Sequence, residues 1–535
     1  MAYVITQSCC KDTSCVSVCP VDCISPVPAP GEATAADMLY IDPAACIDCG
    51  ACVQQCPVGA IYHEDELPPQ QLRFRDINAR YFREHPLAGD QPAPRRDHPP
   101  VRPGALRVAI VGCGPAGCYA AGELTRIAGV EVDMFDRLPT PYGLLRAGVA
   151  PDHQHTKAAA ELFDTALAHP RLRCHFNVEV GRDLTHQELL EHHHAVIYAT
   201  GAATSADLGL AGEEMAGSHA AAEFVGWYNG HPDHAGAVFD LSGPRAVVIG
   251  NGNVALDMAR ILLTGPDELA RTDIAQHALD DLAASRIGEV VILARRGPRD
   301  AAFSVAEFLA LTTIEGIDIV IDSDDLCAQP DDDLDRTLKL EIARECAQRT
   351  PNPANKKIVF RFGVSPVEFL GEGRVQGLRI QRHSGQTEII DTTLVLRSIG
   401  YRSAPIPGVP FDTVTARVPN DHGRILDHDQ HGRPVPASYV TGWLKRGPRG
   451  VIGTNRGCAE QTVAQLWEDF DAGLLDRDLA DRDALPQLLS RRGVEAVDWQ
   501  GWQAINTAEQ KRGAETARPR IKYVHLAEAL AAARI

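Results

Sequence analysis

Residues 106–117 read Leu106-Arg107-Val108-Ala109-Ile110-Val111-Gly112-Cys113-Gly114-Pro115-Ala116-Gly117. The apolar, β-branched run predicts a buried strand, and the G-x-G-x-x-G spacing predicts a tight turn into a helix. The first glycine makes the turn, the second lets a pyrophosphate approach the backbone, and the third lets the helix pack close to the strand. The helix N-terminus then faces the phosphates. The next strand, 130–136, ends in an acid, Asp136, 24 residues beyond Gly112. An acid there accepts hydrogen bonds from a ribose diol, and an unphosphorylated ribose fits FAD.

The device recurs at Val247-Val248-Ile249-Gly250-Asn251-Gly252-Asn253-Val254-Ala255, with alanine in the third position. Its following strand ends in Arg295 and Arg296 rather than an acid. Guanidinium forks pair phosphate oxygens bidentately, so this second turn is expected to take NADPH over NADH. Ala199-Thr200-Gly201, after an apolar strand, marks the connection expected between two such lobes.

Upstream the character changes. Of fifteen cysteines, nine fall within residues 9–56, and the first 70 residues set nine Asp/Glu against Lys11 alone. Cys46-x2-Cys49-x2-Cys52-x3-Cys56-Pro57 lets three thiolates wrap one iron–sulfur cluster while the fourth turns to a second. The partner run, Cys9-Cys10-x4-Cys15-x3-Cys19-Pro20, keeps the closing Cys-Pro. Crossing assigns Cys19 to the cluster of Cys46, Cys49 and Cys52, and Cys56 to that of Cys9 and Cys15. The first cluster is then either three-iron, or four-iron completed by Cys10; Cys23 is a weaker candidate. Zinc also takes thiolates, but the Cys-Pro endings and crossed spacing serve nothing there.

The chain's 535 residues, 44% hydrophobic and 23% charged, suit a globular protein of two to four domains. The net charge of −19 argues against nucleic acid or an anionic membrane as partner. No apolar run approaches the roughly 20 residues of a membrane helix, and the start lacks signal-peptide character, so a cytoplasmic location is expected. The proline-rich stretch 86–104 reads as an extended linker. His192-His193-His194 reads as a solvated helix end, the basic residues Arg518 to Lys522 as solvated surface, and Asp331 to Asp333 as a loop.

The cysteine segment resembles bacterial two-cluster ferredoxins over about residues 1–64, including Pro20-Val21-Asp22 and Pro57-Val58-Gly59-Ala60-Ile61. Beyond residue 106 the chain is similar to adrenodoxin reductase-like ferredoxin–NADP reductases. The residues that carry this are Pro139 to Arg146, Gly148 to His153, Phe224 to Asn229, Gly250 to Asp257, Arg295 to Gly297, Gly442-Trp443 and Arg446 to Thr454. The resemblance implies FAD at Gly112, Gly114, Ala116, Gly117, Asp136, Leu144 and Val180, completed by Trp443, Gly450, Val451 and Ile452. It implies NADP at Asn251, Gly252, Asn253, Val254, Arg295, Arg296, Glu307 and Gly450. Gly450 would let nicotinamide and flavin approach over it, and the N–H groups near Val451 and Ile452 would favour the reduced ring. His153 is a candidate for proton movement or electron exit, or a structural histidine. Some relatives carry a second acid where this chain has Ala310, so no proton role can rest on that position.

The expected architecture is α/β, with two Rossmann-like dinucleotide lobes preceded by a small α+β ferredoxin-like iron–sulfur domain. Its divisions are an iron–sulfur domain at 1–66, a linker at 67–105, an FAD-binding domain from 106–206 and 400–535, and an NADP-binding domain at 207–399. The expected activity is that of a monomeric ferredoxin–NADP(+) reductase. It moves electrons between NADPH, FAD and iron–sulfur clusters one at a time, with its own N-terminus or a separate ferredoxin as acceptor. The alternatives are the electron-input subunit of a larger complex, like the small subunit of glutamate synthase, and a non-enzymatic redox sensor.

Overall fold

The computed structural model describes residues 2–26, 36–87, 97–323, 325–427 and 432–534. Two parallel sheets form its frame. In the first, the strands run in the order Asn420–Asp421, Arg424–Leu426, Pro434–Val440, Ala195–Tyr198, Leu106–Val111, Val130–Asp136, Leu172–Phe176. The last five are parallel to one another and buried along most of their length, which is why they read as continuous apolar runs. This sheet draws strands from two distant parts of the chain, 106–198 and 420–440.

The second sheet has six parallel strands, in the order Ser218–Ala220, Leu394–Arg397, Arg245–Ile249, Glu289–Ala294, Lys356–Phe362, Ile317–Asp322. A three-stranded antiparallel sheet, Val364–Leu370, Gly377–Arg382 and Thr387–Asp391, packs on it through Phe369, Leu378 and Ile380. Between the lobes the chain crosses twice, as the paired short strands Thr204–Ser205 and Tyr401–Arg402.

In the cysteine-rich segment, Tyr3–Ile5 pairs antiparallel with Ile61–His63, and Ile24–Ser25 with Tyr40–Ile41. The expected linker 67–105 differs from expectation. Its first part holds the helix Arg73–Glu84, whose Phe74, Ile77, Tyr81 and Phe82 recur at helical spacing and join the module's core with Val4, Ile5, Ile24 and Ile41. Asn78, 1% exposed, accepts from Ile5 N (3.3 Å) and Ile41 N (2.9 Å) and donates to Ile5 O (2.9 Å). It thus ties two strands that otherwise lack backbone partners on that side. Residues 88–96 of the proline-rich stretch lie outside the described residues. Past them, His98 stacks on Trp467 with ring centroids 3.7 Å apart, so the chain already lies on the first lobe before residue 106.

Two solvated readings give way to burial. His193 is 0% exposed and bonds Asp133 Oδ2 at 3.2 Å, while His175 takes Asp133 Oδ1 at 2.9 Å; His194 accepts from Arg107 N at 2.9 Å. The histidine run is a buried anchor beneath the first sheet. Arg518 and Lys522 are likewise buried, with Arg518 Nε donating to Thr272 O at 3.1 Å and Lys522 Nζ to Asn229 O at 3.0 Å. They face an acid, Asp273, that the sequence keeps 245 and 249 positions away. In the 331–333 stretch, Asp332 pairs with Arg299 at 2.6 Å and Asp333 caps the helix Leu334–Ala347. Among the described residues no helix is long and apolar enough to cross a membrane.

Asp273 holds the lobes together. Lys157 and Lys522, from the two ends of the first lobe's sequence, each reach it at 2.8 Å, and all three side chains are at most 10% exposed. Burial alone would raise the Asp273 carboxyl, yet the two ammonium groups hold it well below the usual range. Its stabilisation is therefore present above the ordinary carboxylate pKa near 4 and is lost as pH falls toward the native value. Asp273→Ala strands two buried cations and is expected to cost about 3–5 kcal/mol. A clear fall in the midpoint of thermal unfolding is the expected outcome; an unchanged midpoint would contradict it.

Candidate active site

The two glycine turns are built alike. Gly112 has φ +106°, and a Cβ there would lie 2.5 Å from Ala199 O; Gly250 has φ +110°, with Ser398 O at 2.1 Å. Only glycine fits either position. At Gly114 and Gly252, by contrast, a Cβ would meet nothing within 4 Å, which leaves an open cradle over the N-termini of the helices Pro115–Thr125 and Asn253–Leu263. Gly117 lets its helix close on the turn, since a Cβ there would lie 2.0 Å from Gly112 O. These cradles fit a dinucleotide pyrophosphate.

Asp136 sits at the end of its strand, where each carboxylate oxygen takes one backbone donor: Cys113 N at 2.8 Å and Leu138 N at 2.9 Å. Burial raises its carboxyl against those donors, and the remaining lone pairs suit a ribose diol. Ala116 packs under the second half of this site, because a Cβ on Gly442 would be 2.5 Å from the Ala116 Cβ. Leu144 starts the helix Leu144–Ala147 after Gly143, whose Cβ position is 3.1 Å from Gly114 Cα. Val180 is half-buried at the edge of the core beneath the first sheet. Trp443 lies beside Tyr401, their ring centroids 5.9 Å apart.

Gly450 is required for a reason other than open approach. It has φ +87°, and a Cβ would meet Thr454 Cγ2 and Oγ1 at 2.7 Å. Thr454 Oγ1 accepts from Val451 N at 3.1 Å, so that N–H is engaged within the loop rather than held for a reduced ring. Asn455, which donates to Ile452 O at 3.0 Å and accepts from Arg446 Nη2 at 3.0 Å, fixes the same loop.

In the second lobe, Asn253 Oδ1 accepts from Ser304 N at 2.8 Å and Asn251 Oδ1 from Ala302 N at 3.4 Å. Ser304 caps the helix Val305–Leu311 by accepting from Glu307 N at 3.2 Å. The second glycine turn, through Asn253 at the head of its helix, is thereby wired to Glu307. Arg295 and Arg296 are exposed at the end of the strand Glu289–Ala294, and among the described residues neither has an ion-pair partner. That availability suits a phosphate.

The structure brings His153 and Glu307 together across the lobes, with Nε2 and Oε2 3.8 Å apart. The sequence reading assigned no role to three neighbours. Asp257 completes a group whose ligand-type atoms all lie within 4.8 Å; Arg260 joins Asp152 at 2.5 and 3.0 Å; Gln7 donates to Glu307. Asp257 and Arg260, one helical turn apart, carried a signal as charged residues on the otherwise apolar helix after Gly250.

The cysteines fall into two groups. Cys15 interacts electrostatically with Cys9 and Cys56, and Cys52 with Cys19, Cys46 and Cys49, while Cys15 and Cys52 also feel each other between the two. Burial pushes Cys9 and Cys52 up to about 11 and Cys15 higher, the direction expected of thiols removed from water. Among the described residues no three cysteine sulfurs lie within 4.8 Å of one another, whereas one tetrahedral ion would draw them to roughly 3.8 Å. That spacing is wider than a single zinc ion draws its ligands. Cys23 lies beside the second group, its sulfur 3.4 Å from that of Cys19. Cys10 is buried beside Val58 and Ala60 in the first lobe's core, close to Cys9 and Cys56, and its carbonyl accepts from Gly453 N at 2.9 Å. Arg456 Nη1 donates to Asp12 O at 2.8 Å, so the cysteine module is seated against the loop after Gly450.

Residues 106–297 match the family described as pyridine nucleotide-disulphide oxidoreductase, and residues 39–62 match the 4Fe-4S binding domain. A probable ferredoxin/ferredoxin–NADP reductase of Mycobacterium tuberculosis is 49% identical, covering 100% of this chain and 95% of its own length. The NADPH-ferredoxin reductase FprA of Mycobacterium leprae is 42% identical over 79% of this chain and 97% of its own. The solved structure of Mycobacterium tuberculosis FprA in complex with NADPH superposes with a TM-score of 0.77 at 42% identity, covering 81% of this chain and 100% of that one.

Substituting Gly450→Ala forces an L side chain into the left-handed region and against Thr454, at about 1–2 kcal/mol before any clash. The expected outcome is about tenfold weaker retention of the flavin assigned to this loop, read as FAD content after gel filtration. Undiminished content would remove the loop from the site.

Proposed function

The chain belongs to the ferredoxin/ferredoxin–NADP reductase family, and from that premise we propose how its own residues divide the work of an NADPH-dependent flavoprotein oxidoreductase. The reaction moves electrons between NADPH and ferredoxin-type iron–sulfur centres. FAD, when bound, supplies the exchange between two-electron hydride chemistry and one-electron transfer.

The Gly112–Gly117 turn and Asp136 hold the adenine half of FAD, and Leu144, Val180, Trp443 and the 450–452 loop shape the flavin end. Gly250–Val254 receives the NADP pyrophosphate. Arg295 and Arg296 receive the 2′-phosphate, which selects NADPH. His153 Nε2 and Glu307 Oε2 face each other where the two cofactors meet, and there a proton can be held. The domain assignment follows the strands: NADP binding at 207–399, FAD binding at 106–206 and 400–535, and a cluster module at 1–66 to which the helix Arg73–Glu84 adds its core.

The cluster module holds two centres. Cys9, Cys15 and Cys56 hold a three-iron cluster, and Cys19, Cys46, Cys49 and Cys52 a four-iron one. The crossed spacing of the two Cys-Pro runs supports these sets and leaves Cys10, beside the first, and Cys23, beside the second, outside them. The single observation that carries the whole reading is the hydrogen bond from Gly453 N to Cys10 O, 2.9 Å, because it joins the first cysteine group to the loop at the flavin end.

Removing both guanidinium groups, Arg295→Ala with Arg296→Ala, is expected to raise the KM for NADPH by about 10- to 100-fold while leaving that for NADH nearly unchanged. Equal effects on both nucleotides would reject the phosphate assignment. Anaerobic NADPH titration followed by optical and paramagnetic spectra is expected to bleach the flavin and then change the cluster signals. A paramagnetic three-iron signal should be present before reduction and should persist in Cys10→Ala. Loss of iron in that variant would make the first cluster a four-iron one.

A further inference from the structure

The cysteine module reaches beyond the flavin end and touches the other lobe. Gln7 Nε2 donates to Glu307 Oε2 at 3.0 Å, across 300 positions of sequence. Glu307 is crowded: His153 Nε2 lies 3.8 Å away, and the ligand-type atoms of His153, Asp257 and Glu307 all fall within 4.8 Å. Burial pushes its carboxyl up and Asp257 adds to this, while His153, Arg260 and the amide of Gln7 act the other way. A carboxylate repelled by a neighbouring acid needs a fixed donor to keep one orientation, and Gln7 supplies one.

Gln7 is itself held. On one side of it Thr6 N and Thr6 Oγ1 both donate to Ala60 O, at 2.9 and 3.0 Å. On the other side Cys10 O takes Gly453 N at 2.9 Å, and Asp12 O takes Arg456 Nη1 at 2.8 Å. The segment is thus pinned to its own module before Gln7 and to the first lobe after it. Gly453 enforces the fit, since a Cβ there would lie 2.0 Å from Lys11 O. The amide is presented to Glu307 by backbone that has little freedom to withdraw it.

We propose that Gln7 is a positioning residue of the NADPH site: the iron–sulfur module supplies the donor that orients Glu307, so that seating of the module and binding of the nucleotide favour each other. This rests on the assignment of Glu307 to the NADP site. The linkage is reciprocal, because whatever free energy the seated module adds to nucleotide binding, the bound nucleotide returns to seating.

A double-mutant cycle on the full, cofactor-loaded protein tests it. NADP+ binding is measured at equilibrium from the perturbation of the flavin spectrum, for wild type, Gln7→Ala, Glu307→Gln and the pair. Gln7→Ala is expected to weaken binding about three- to tenfold, the range of one ordinary hydrogen bond, and to raise KM for NADPH more than it lowers kcat. Gln7→Glu, which sets an acid against Glu307, is expected to weaken it further. In the Glu307→Gln background Gln7→Ala should add nothing. Unchanged iron content in each Gln7 variant separates these effects from damage to the adjacent cluster. Wild-type binding by Gln7→Ala alongside weakened binding by Glu307→Gln would overturn the inference and leave the site assignment intact, as would fully additive effects. Wild-type binding by Glu307→Gln would instead remove Glu307 from the nucleotide site.

Discussion

Both lobes depend on the same close approach of backbone to backbone. The carbonyl that follows a returning parallel strand, Ala199 O after Ala195–Tyr198 and Ser398 O after Leu394–Arg397, occupies the space that a side chain on Gly112 or Gly250 would need. This contact lets each central strand, its turn and its neighbour close at one level, so that the turn's N–H groups and the helix N-terminus all face one cradle. A methyl group at either glycine would separate the strand ends. The shape of each cradle follows from that constraint rather than from any side chain.

The lobes could still drift apart on their two short connecting strands. Buried ion pairs prevent this. Asp273 of the second lobe takes Lys157 and Lys522 of the first, and Arg260 takes Asp152. Such pairs add little net stability over apolar packing, because desolvation offsets most of the attraction. What they do enforce is register, since any sliding leaves a charge buried without its partner. That register sets His153 opposite Glu307, two residues from different lobes, with Nε2 and Oε2 3.8 Å apart.

The cysteine module is a third body seated by the same kind of force. Its helix Arg73–Glu84 meets the second lobe through Arg73 and Arg80 with Glu341 and Glu345, and its Gln7 to Asp12 segment meets both lobes at their junction. The partly exposed pairs at the helix contribute modestly. The backbone contact at Gly453 and the burial of Cys10, Val58 and Ala60 in the first lobe's core account for the close seating.

Local pattern determined much of this protein. The two glycine turns, Asp136, the arginine pair and the cysteine spacings are short-range features, because strand, turn and helix follow one another within about 30 residues and cluster ligands come in tight loops. The sequence by itself therefore announced two dinucleotide-type lobes and an iron–sulfur segment ahead of them. Tertiary structure alone decided what lies between them. The histidine run from 192 and the basic residues from 518 look solvated in sequence because charge runs usually are; only the fold brings Asp133 and Asp273 to them. The helix at 73–84 was masked by the proline-rich stretch beside it, and its apolar face has meaning only once the strands it covers exist. Gln7 meets Glu307, and Val451 turns to Thr454, through contacts that no periodicity encodes. Chain chemistry sets which groups are present, while packing sets which of them meet, since hydrogen bonds and ion pairs act over a few ångströms of space regardless of distance along the chain.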